Sequence, residues 1–184
     1  MGRLKFLLEG LKDIQTVGTI ARTSTFAAKQ MIRQVDFAKT DCIVEFGAGD
    51  GVITKCILEK MKKDAILLSF EVNPSFCEIL MQINDPRLVV INDSAEKVAD
   101  YLRQNGQHQA DYVISAIPFA AIPPEVGQVI VDQARNVLKK GGLFVQIHYS
   151  LVRRKLYEKV FGNVDWEITP INIPPAFILT SVKE

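Results

Sequence analysis

The stretch "CIVEFGAGDGVITKCILEKM", residues 42–61, decides the fold of this chain. It opens with a short run of apolar and β-branched residues, which is typical of a buried strand. After Gly51 the apolar residues recur at helical spacing, so a helix is predicted to begin there. Gly47, Gly49 and Gly51 lie between the two patterns, where glycine lets the backbone turn sharply and lets a ligand approach closely. The stretch therefore predicts a strand, a tight turn and a helix.

Strand-like and helical patterns continue to alternate along the rest of the chain, which indicates parallel α/β units. Further strands are predicted at residues 65–71, 87–92, 111–117 and 143–149, and further helices at 73–83, 94–106, 124–142 and 153–162. Two closing strands are predicted within residues 165–184, joined by a turn that Pro174 and Pro175 keep out of the sheet. Because right-handed crossovers place helices on both faces, the predicted fold is α/β, Rossmann-like and doubly wound, with a mostly parallel sheet.

Two of the predicted helices carry signals at their ends. Asn73 is predicted to be an N-cap, with Pro74 at the first helical position, where its missing N–H costs nothing. The stretch at residues 124–142 has Lys139 and Lys140 near its end and two glycines after them. These residues are predicted to form the last turn and the C-cap of that helix.

The length and composition bound the organisation of the chain. With 184 residues and 48% hydrophobic content, the sequence supports one core, predicted as a domain at residues 31–184 after a helical leader at residues 1–30. The 22 basic and 21 acidic residues nearly cancel, so a nucleic-acid partner is not favoured. Three cysteines lack metal-site or disulfide spacing, so no metal is predicted. A cytoplasmic protein without a membrane span is expected.

The spacing of the glycine turn indicates which cofactor it holds. A dinucleotide site needs G-x-G-x-x-G, but here the third glycine comes one residue early and Val52 fills its place. With Glu45 two residues before the first glycine, the motif E-x-G-x-G-x-G resembles that of S-adenosylmethionine (SAM) sites. The alternative interpretation is that these residues form only a tight strand-to-helix turn and bind no cofactor.

Acidic residues after the second and third strands fit the same cofactor. Glu71 lies where it can accept hydrogen bonds from both ribose hydroxyls, and Asp93 lies where it can reach an adenine amino group. The alternative is that both are helix-capping acids. All three features fall at strand ends, on the edge where α/β ligands bind. The predicted cofactor-binding residues are Glu45, Gly47, Ala48, Gly49, Gly51, Glu71, Val72, Asp93, Ser94, Ala95 and Ser115.

A resemblance covers nearly the whole chain through "IVEFGAGDGVIT", "FEVNPSF", "VISAIPFAAIPP", "LKKGGLFVQIHYS" and "NIPPAFI". The chain resembles class I SAM-dependent methyltransferases, and among them the bacterial phospholipid N-methyltransferases. That resemblance implies a class I fold with a closing antiparallel strand, SAM as cofactor, and the amine of a phospholipid headgroup such as phosphatidylethanolamine as methyl acceptor.

A related family, the rRNA adenine N6-dimethyltransferases, resembles the chain less well. Its loop has asparagine where this chain has Ala116, followed by Ile117, Pro118 and Phe119. Without that amide the adenine amino group is left unpaired, at a cost of about 1 to 3 kcal/mol. Three alternatives stay open: an rRNA adenine methyltransferase, a methyltransferase for a small amine, and a non-catalytic SAM-binding module.

The resemblance places the acceptor at an apolar loop. The predicted catalytic residues are Ser115, Pro118, Phe119 and Tyr149, the two aromatic rings holding the methylated cation through cation–π attraction. Trp166 and Phe177 are further aromatic candidates, although such residues are more often core. His148 is expected on the opposite face from Tyr149, because side chains alternate along a strand.

Charged residues near the acceptor loop and in the leader suggest lipid contacts. Arg153, Arg154 and Lys155 could bind a phosphodiester, or could begin a solvated helix. In residues 3–14 an apolar stripe recurs at helical spacing, formed by Leu4, Leu7, Leu8, Leu11 and Ile14. This helix either lies at a membrane surface, the inner face of the cytoplasmic membrane, or packs on the domain. The sequence does not indicate an oligomeric state.

Overall fold

Seven strands and six helices form the part of the chain that the computed structural model describes, residues 23–184. The strands are β1 (Cys42–Phe46), β2 (Ile66–Phe70), β3 (Leu88–Ile91), β4 (Ala110–Ser115), β5 (Leu138–His148), β6 (Asp165–Thr169) and β7 (Ala176–Val182). They form one sheet in the order β3-β2-β1-β4-β5-β7-β6. The first five strands are parallel, and β7 lies antiparallel between β5 and β6. The predicted fold class is therefore confirmed, including its antiparallel closing strand.

The helices follow the strands in the predicted alternation. They are α1 (Thr25–Met31), α2 (Val52–Leu58), α3 (Pro74–Met81), α4 (Val98–Gln104), α5 (Pro124–Val137) and α6 (Arg154–Phe161), with short 3₁₀ turns at Ala95–Lys97 and Phe119–Ala121. Asn73 caps α3 as predicted, because its side-chain oxygen accepts the Ser75 N–H at 3.0 Å. Pro74 is the first residue of that helix, as predicted.

The core lies in two layers, one on each face of the sheet. Every residue of β1 is buried, and the side chains alternate between the layers: Val44 and Phe46 belong to one and Ile43 to the other. The first layer includes apolar residues of α4, α5 and α6, and the second those of α1 and α2. Because both faces are covered, β1 reads as a continuous apolar run, interrupted only by Glu45.

The helix predicted at residues 124–142 is shorter than expected. It ends at Val137, and the chain enters β5 at once with an extended Leu138. Lys139 forms an ion pair with Asp111 at 2.5 Å instead of closing a helix. Gly141, with φ +80°, donates its N–H to the Lys183 carbonyl at 2.7 Å. The predicted C-cap was wrong because these residues pair with β4 and the last residues of the chain.

Helix α1 belongs to the core, since Ala27, Ala28 and Met31 are buried against the layer that contains α2. The predicted leader ends inside this helix, and the domain boundary at residue 31 stays a prediction. The amphipathic helix predicted at residues 3–14 lies outside the described residues. Within residues 23–184, no helix has both the length and the apolar character needed to cross a membrane.

Candidate active site

The glycine turn lies at the carboxyl end of β1, folded back on β2. The N–H groups of Gly47 and Ala48 both donate to the Phe70 carbonyl, at 2.8 and 3.2 Å. Gly49 has φ +54°, and apart from its two chain neighbours no heavy atom of the described residues lies within 4 Å of the point where its Cβ would be. A side chain there would project into open space at the sheet edge that binds ligands in open α/β folds. The turn therefore has the form of a cradle that a cofactor can approach closely.

Glu71 lies directly against this turn. One carboxylate oxygen accepts the Gly49 N–H at 2.9 Å and the other accepts the Asn73 N–H at 2.8 Å. Burial raises the pKa of Glu71, and these backbone hydrogen bonds oppose the increase. Val72 is half-buried beside it. The structure thus brings the predicted ribose-binding carboxylate into contact with the predicted cofactor turn.

Asp93 lies after β3 and has partners within the protein. One carboxylate oxygen accepts the Ser94 N–H at 2.7 Å, and the other accepts from Lys97 at 2.8 Å and Tyr101 at 2.9 Å. Burial opposes ionisation, but the hydrogen bonds from these groups prevail and lower the pKa of Asp93. Ser94 caps the following 3₁₀ turn and Ala95 is buried. Asp93 therefore anchors its own loop, whereas Ser94 caps the turn in place of the alternative considered for Asp93, and the predicted contact of Asp93 with adenine stays a prediction.

Glu45 is buried completely beneath the turn. One of its oxygens accepts from Ser69 on β2 at 2.6 Å and from Thr54 on α2 at 2.7 Å. The other oxygen has no hydrogen-bond partner among the described residues. Burial raises the pKa of Glu45 to about 7, although the bonds from Ser69 and Thr54 act in the opposite direction. Glu45, on β1, thus links this strand to β2 and to α2 beneath the glycine turn.

The apolar loop after β4 packs against the glycine turn. A Cβ on Gly47 would lie 3.2 Å from both the Ile117 backbone nitrogen and its side chain. Ser115 is fully buried, and its hydroxyl accepts the Ile117 N–H at 3.4 Å. Pro118 is half-buried just beyond it. Gly47 therefore has no room for a side chain, because the loop occupies that space. The loop with the predicted catalytic residues thus lies directly against the predicted cofactor turn.

Gln146 on β5 holds this loop from below. Its side-chain nitrogen donates to the Ile117 carbonyl at 3.0 Å and to the Ile147 carbonyl at 2.6 Å. The side chain is fully buried, and its oxygen has no partner among residues 23–184. In the β4–β5 register it lies opposite Ser115. Gln146 therefore fixes the backbone of the loop that faces the cofactor turn.

Tyr149 and His148 point to opposite faces, as predicted. Tyr149 is 41% exposed, and its hydroxyl accepts from the Asn172 amide at 3.5 Å. His148 is buried and its Nε2 lies 2.6 Å from the Tyr157 hydroxyl. Burial, together with the positive charge of Arg153, lowers the pKa of His148 to about 4. His148 is therefore a neutral core residue, while Tyr149 faces the surface at the end of β5.

Phe119 faces the core. It is 1% exposed, with its ring centroid 6.1 Å from those of both His148 and Tyr157. A ring in this position supports the loop. Its predicted contact with the methyl acceptor stays a prediction.

The remaining candidates lie farther along the same edge. Trp166 is on the edge strand β6, where its ring packs against Phe177 at 5.8 Å. Arg154 forms an ion pair with Glu158 one turn along α6, at 2.9 Å. Arg153 precedes that helix and is half-buried, and Lys155 is exposed. The structure thus separates three consecutive basic residues into a paired one, a half-buried one and an exposed one.

The residues that the sequence analysis missed are buried polar ones. Gln146 supports the loop at residues 115–119, and Asn172 links Tyr149 to the loop after β6. Both stand in apolar surroundings, "FVQIHY" and "PINIPP", where a lone amide must find partners when it is buried. A single amide within an apolar segment was therefore the signal in the sequence that could have identified these residues. It does not reveal which backbone groups the amides bond.

Comparison with solved structures agrees with this fold. Precorrin-6y C5,15-methyltransferase from Geobacter metallireducens superposes with a TM-score of 0.71 at 14% identity, over 90% of this chain and 92% of that one. A spermidine synthase in complex with the transition-state analogue AdoDATO superposes with a TM-score of 0.66 at 15% identity, over 88% of this chain and 62% of the other. At these identities the similarity establishes the fold alone.

Sequence relatives extend the comparison. An ornithine lipid N-methyltransferase from Singulisphaera acidiphila is 28% identical over 184 residues, covering 97% of this chain and 96% of that protein. A ribosomal RNA small subunit methyltransferase A from Thermotoga petrophila is 24% identical over 81% of this chain, which spans only 59% of the length of that relative.

A family model matches most of the chain. It is that of the methyltransferase small domain, and the match runs from residue 21 to residue 169, from the residues before α1 to the end of β6. The matched region contains the open cradle at Gly49 and the carboxylates of Glu45 and Glu71, which fit the predicted cofactor. The chain therefore belongs to the methyltransferase small domain family and is a SAM-dependent methyltransferase.

Proposed function

We propose that this chain transfers methyl groups from SAM to the aliphatic amine of a lipid headgroup, such as that of phosphatidylethanolamine or of an ornithine lipid. The observation that carries the proposal is the loop at residues 115–119, which packs on the cofactor turn through Gly47 and offers no carboxylate, side-chain amide or imidazole of its own. The similarity to an ornithine lipid N-methyltransferase along almost the full length of both chains supports the same substrate class.

An apolar loop suits an amine acceptor for a chemical reason. SAM, when bound, supplies an electrophilic methyl group on a sulfonium. The attacking amine must be neutral, whereas an alkylammonium has a pKa of roughly 10 in water. Apolar surroundings disfavour the charged form and lower that pKa. Ala116, Ile117 and Pro118 would thus favour the neutral amine, whose proton passes to bulk water before the headgroup enters the pocket, without a dedicated base.

The cofactor side has the polar groups that the acceptor side lacks. In this proposal Gly49 admits the cofactor and Glu71 accepts from its ribose hydroxyls. Asp93, Ser94 and Ala95 would border the adenine. The carboxylate oxygen of Glu45 without a partner supports a polar role under the turn. On the acceptor side, Tyr149 would stack on the methylated ammonium, next to the loop formed by Ser115, Pro118 and Phe119.

Adenine methylation fits this site less well. Ala116 stands where an adenine-specific loop would need an amide, and the described loop contributes no other side-chain amide in its place. The amide of Gln146 is fully buried beneath the loop, so its oxygen is not exposed to accept from an adenine amino group at the loop surface. An adenine amino group at this loop would therefore lose hydrogen bonds that an aliphatic amine does not need.

The decisive experiment is transfer of tritiated methyl groups from SAM, offered in parallel to phosphatidylethanolamine, an ornithine lipid, ribosomal RNA and small amines. Incorporation into an amine lipid is expected, and Gly49→Val serves as the cofactor-deficient control. Labelling of RNA or of small amines alone would overturn the proposal in favour of that acceptor. SAM binding without any transfer would assign the chain as a non-catalytic SAM-binding module.

A lipid substrate also gives the predicted helix at residues 3–14 a role at the membrane surface. Its location on the inner face of the cytoplasmic membrane is part of this proposal. Removal of residues 1–14, followed by sedimentation with anionic vesicles, tests whether that segment binds lipid while SAM binding persists.

A further inference from the structure

The loop between β6 and β7, residues 170–175, has an unusual distribution of polarity. Its sequence is "PINIPP", and each of its apolar residues is exposed, whereas its one polar residue, Asn172, is fully buried. Ile171 is 62% exposed and Ile173 is 91% exposed. Surface loops usually expose their polar residues and bury their apolar ones. The loop at residues 170–175 does the opposite, which requires an explanation.

Asn172 fixes the loop beside the acceptor site. Its side-chain oxygen accepts the Ser24 N–H at 2.9 Å, and its nitrogen donates to the Pro174 carbonyl at 2.9 Å and toward the Tyr149 hydroxyl at 3.5 Å. The Ser24 hydroxyl donates to the Ile171 carbonyl at 3.1 Å. The two isoleucines are therefore held outward by defined contacts, next to the residue proposed to face the methyl acceptor.

Other exposed apolar residues lie beside the loop or close to Tyr149 in the chain. A shallow groove runs from Pro170 and Ile168 to Phe26 on α1, with Lys29 and Arg33 among its lining residues. Val152, three residues after Tyr149 in the chain, is 81% exposed. We name the exposed apolar residues Phe26, Val152, Ile168, Ile171 and Ile173 the acceptor-edge surface.

The charged residues near the acceptor-edge surface are mostly basic. From Tyr149 to Tyr157 the sequence carries three basic residues and no acidic one, and residues 168–182 carry no charge. Residues 24–35 carry two basic residues and no acidic one. Arg33 and Arg154 are paired with Glu167 and Glu158, while Lys29 and Lys155 are exposed. Apolar side chains with exposed cations beside them match the boundary between acyl chains and anionic headgroups.

We propose that the acceptor-edge surface docks on an anionic bilayer, with Ile171 and Ile173 entering the acyl boundary. This inference rests on the proposed lipid-amine substrate and adds the surface through which the site reaches it. The loop would bring Tyr149 and the residues at 115–119 to headgroup depth, so that the lipid amine needs only a short displacement to reach the cofactor. The described chain then contributes its own membrane contact, separate from residues 3–14.

The test is sedimentation of the full chain with phosphatidylcholine vesicles, with and without phosphatidylglycerol. Wild type is expected to bind the vesicles that contain phosphatidylglycerol. Ile171→Ser combined with Ile173→Ser should lower the partition coefficient at least about tenfold, because both side chains lose their apolar burial. Lys155→Glu should weaken only the dependence on phosphatidylglycerol. Ile79→Ser combined with Met81→Ser, which removes an exposed apolar pair on α3, is the matched control and should bind like wild type.

A second measurement separates docking from catalysis. With an amine lipid whose acyl chains are short enough to keep it monomeric, the double loop variant should keep the wild-type kcat/KM and SAM affinity. If the variant loses kcat/KM on this monomeric lipid as strongly as it loses vesicle binding, the loop belongs to the acceptor pocket and the docking proposal is overturned. Unchanged vesicle binding in that variant would overturn it too, and leave the proposed methylation of lipid amines standing. Vesicle binding through the loop without methylation of any lipid would support docking and refute the proposed function.

Two other occupants of the surface have distinct outcomes. If the full chain does not sediment with vesicles but a chain that lacks residues 1–22 does, those residues cover the surface. The bilayer proposal then fails. If the double loop substitution converts a dimer to a monomer in light scattering without changing vesicle binding, the occupant is a second copy of the chain, and the proposal also fails.

Discussion

The two halves of the active edge differ in how they use polar groups. At the ends of β1, β2 and β3, Glu45, Glu71 and Asp93 each accept hydrogen bonds from neighbouring residues, and the turn is built from polar contacts. After β4 and β6, at the same edge of the sheet, the loops are apolar, and Gln146 and Asn172 are buried beneath them. A polar nucleoside needs fixed donors and acceptors, whereas an amine that must lose its charge needs a dry wall. The difference matches two ligands of opposite character.

Substitution at Gly49 should break the cofactor half most severely. Gly49→Val adds side-chain bulk in the open cradle and forces a β-branched residue into φ +54°, so SAM binding should be lost in calorimetry. Gly106→Val is the control, because Gly106 has φ +71° and equally open surroundings but lies in the loop before β4. It should incur a comparable backbone strain of roughly 1–2 kcal/mol and keep SAM affinity. Unchanged binding by Gly49→Val would refute the cofactor assignment.

Glu71→Ala should weaken SAM binding by about 1.5 to 3 kcal/mol for each charge-assisted bond lost. Asp93→Ala should have a smaller effect, because the Asp93 carboxylate is already shared among Ser94, Lys97 and Tyr101. Calorimetry measures both, with Glu71→Gln as the variant of the same shape. If neither alanine variant changes affinity, the cofactor does not lie along the strand ends as proposed.

On the acceptor half, Tyr149→Ala should lower kcat/KM for the amine substrate about tenfold through the lost cation–π contact, while SAM affinity stays nearly intact. Tyr149→Phe keeps the aromatic face and should retain most activity. Phe119 is a less clean probe, since a polar replacement in its buried position should destabilise the fold by about 3–5 kcal/mol. An equal loss of SAM affinity in Tyr149→Ala would mean that this residue supports the fold instead of the acceptor.

Gln146→Leu tests whether the acceptor loop depends on its buried support. The Ile117 carbonyl would lose its side-chain donor, and a buried group left unpaired costs about 1 to 3 kcal/mol. We expect a several-fold fall in kcat with little change in SAM affinity, since the loop loses its fixed position against Gly47. Gln128→Leu on α5, where the half-buried Gln128 bonds only Asp132 among the contacts described, should leave both unchanged. A purely structural role would instead lower thermal stability and leave kcat unaltered.

The smallest predicted effect concerns pH and Glu45. The pKa of this carboxyl is raised from 4.5 to about 7 in the folded chain, so the folded state retains a proton that the unfolded state releases. Its contribution to stability is therefore fully present below about pH 4.5 and is lost as the pH rises through about 7. Glu45→Gln should flatten this part of the pH profile in thermal unfolding. If the thermal stability of Glu45→Gln depends on pH as steeply as that of the wild type, another group is responsible for the dependence.

The turn after β1 and the start of α3 were predicted correctly because their signals are local. The glycine turn, Asn73 and Pro74 act within a few residues, and all lie where the pattern placed them. The prediction failed at Lys139 and Lys140, where local helix signals lost to pairing of the backbone with β4 and with Lys183. The acceptor half was accessible only in outline, because its contacts join segments that are far apart in the chain.

By itself, the sequence determined the α/β fold, the SAM motif and the apolar character of the loop at residues 115–119, since these follow from periodicity and spacing. Only the tertiary structure decided that Phe119 faces the core, that Gln146 supports Ile117, and that Asn172 ties the exposed isoleucines to Tyr149 and Ser24. The physical reason is that a buried amide must bond whatever backbone the fold brings to it. That neighbour is set by sheet order and register, which no local pattern encodes.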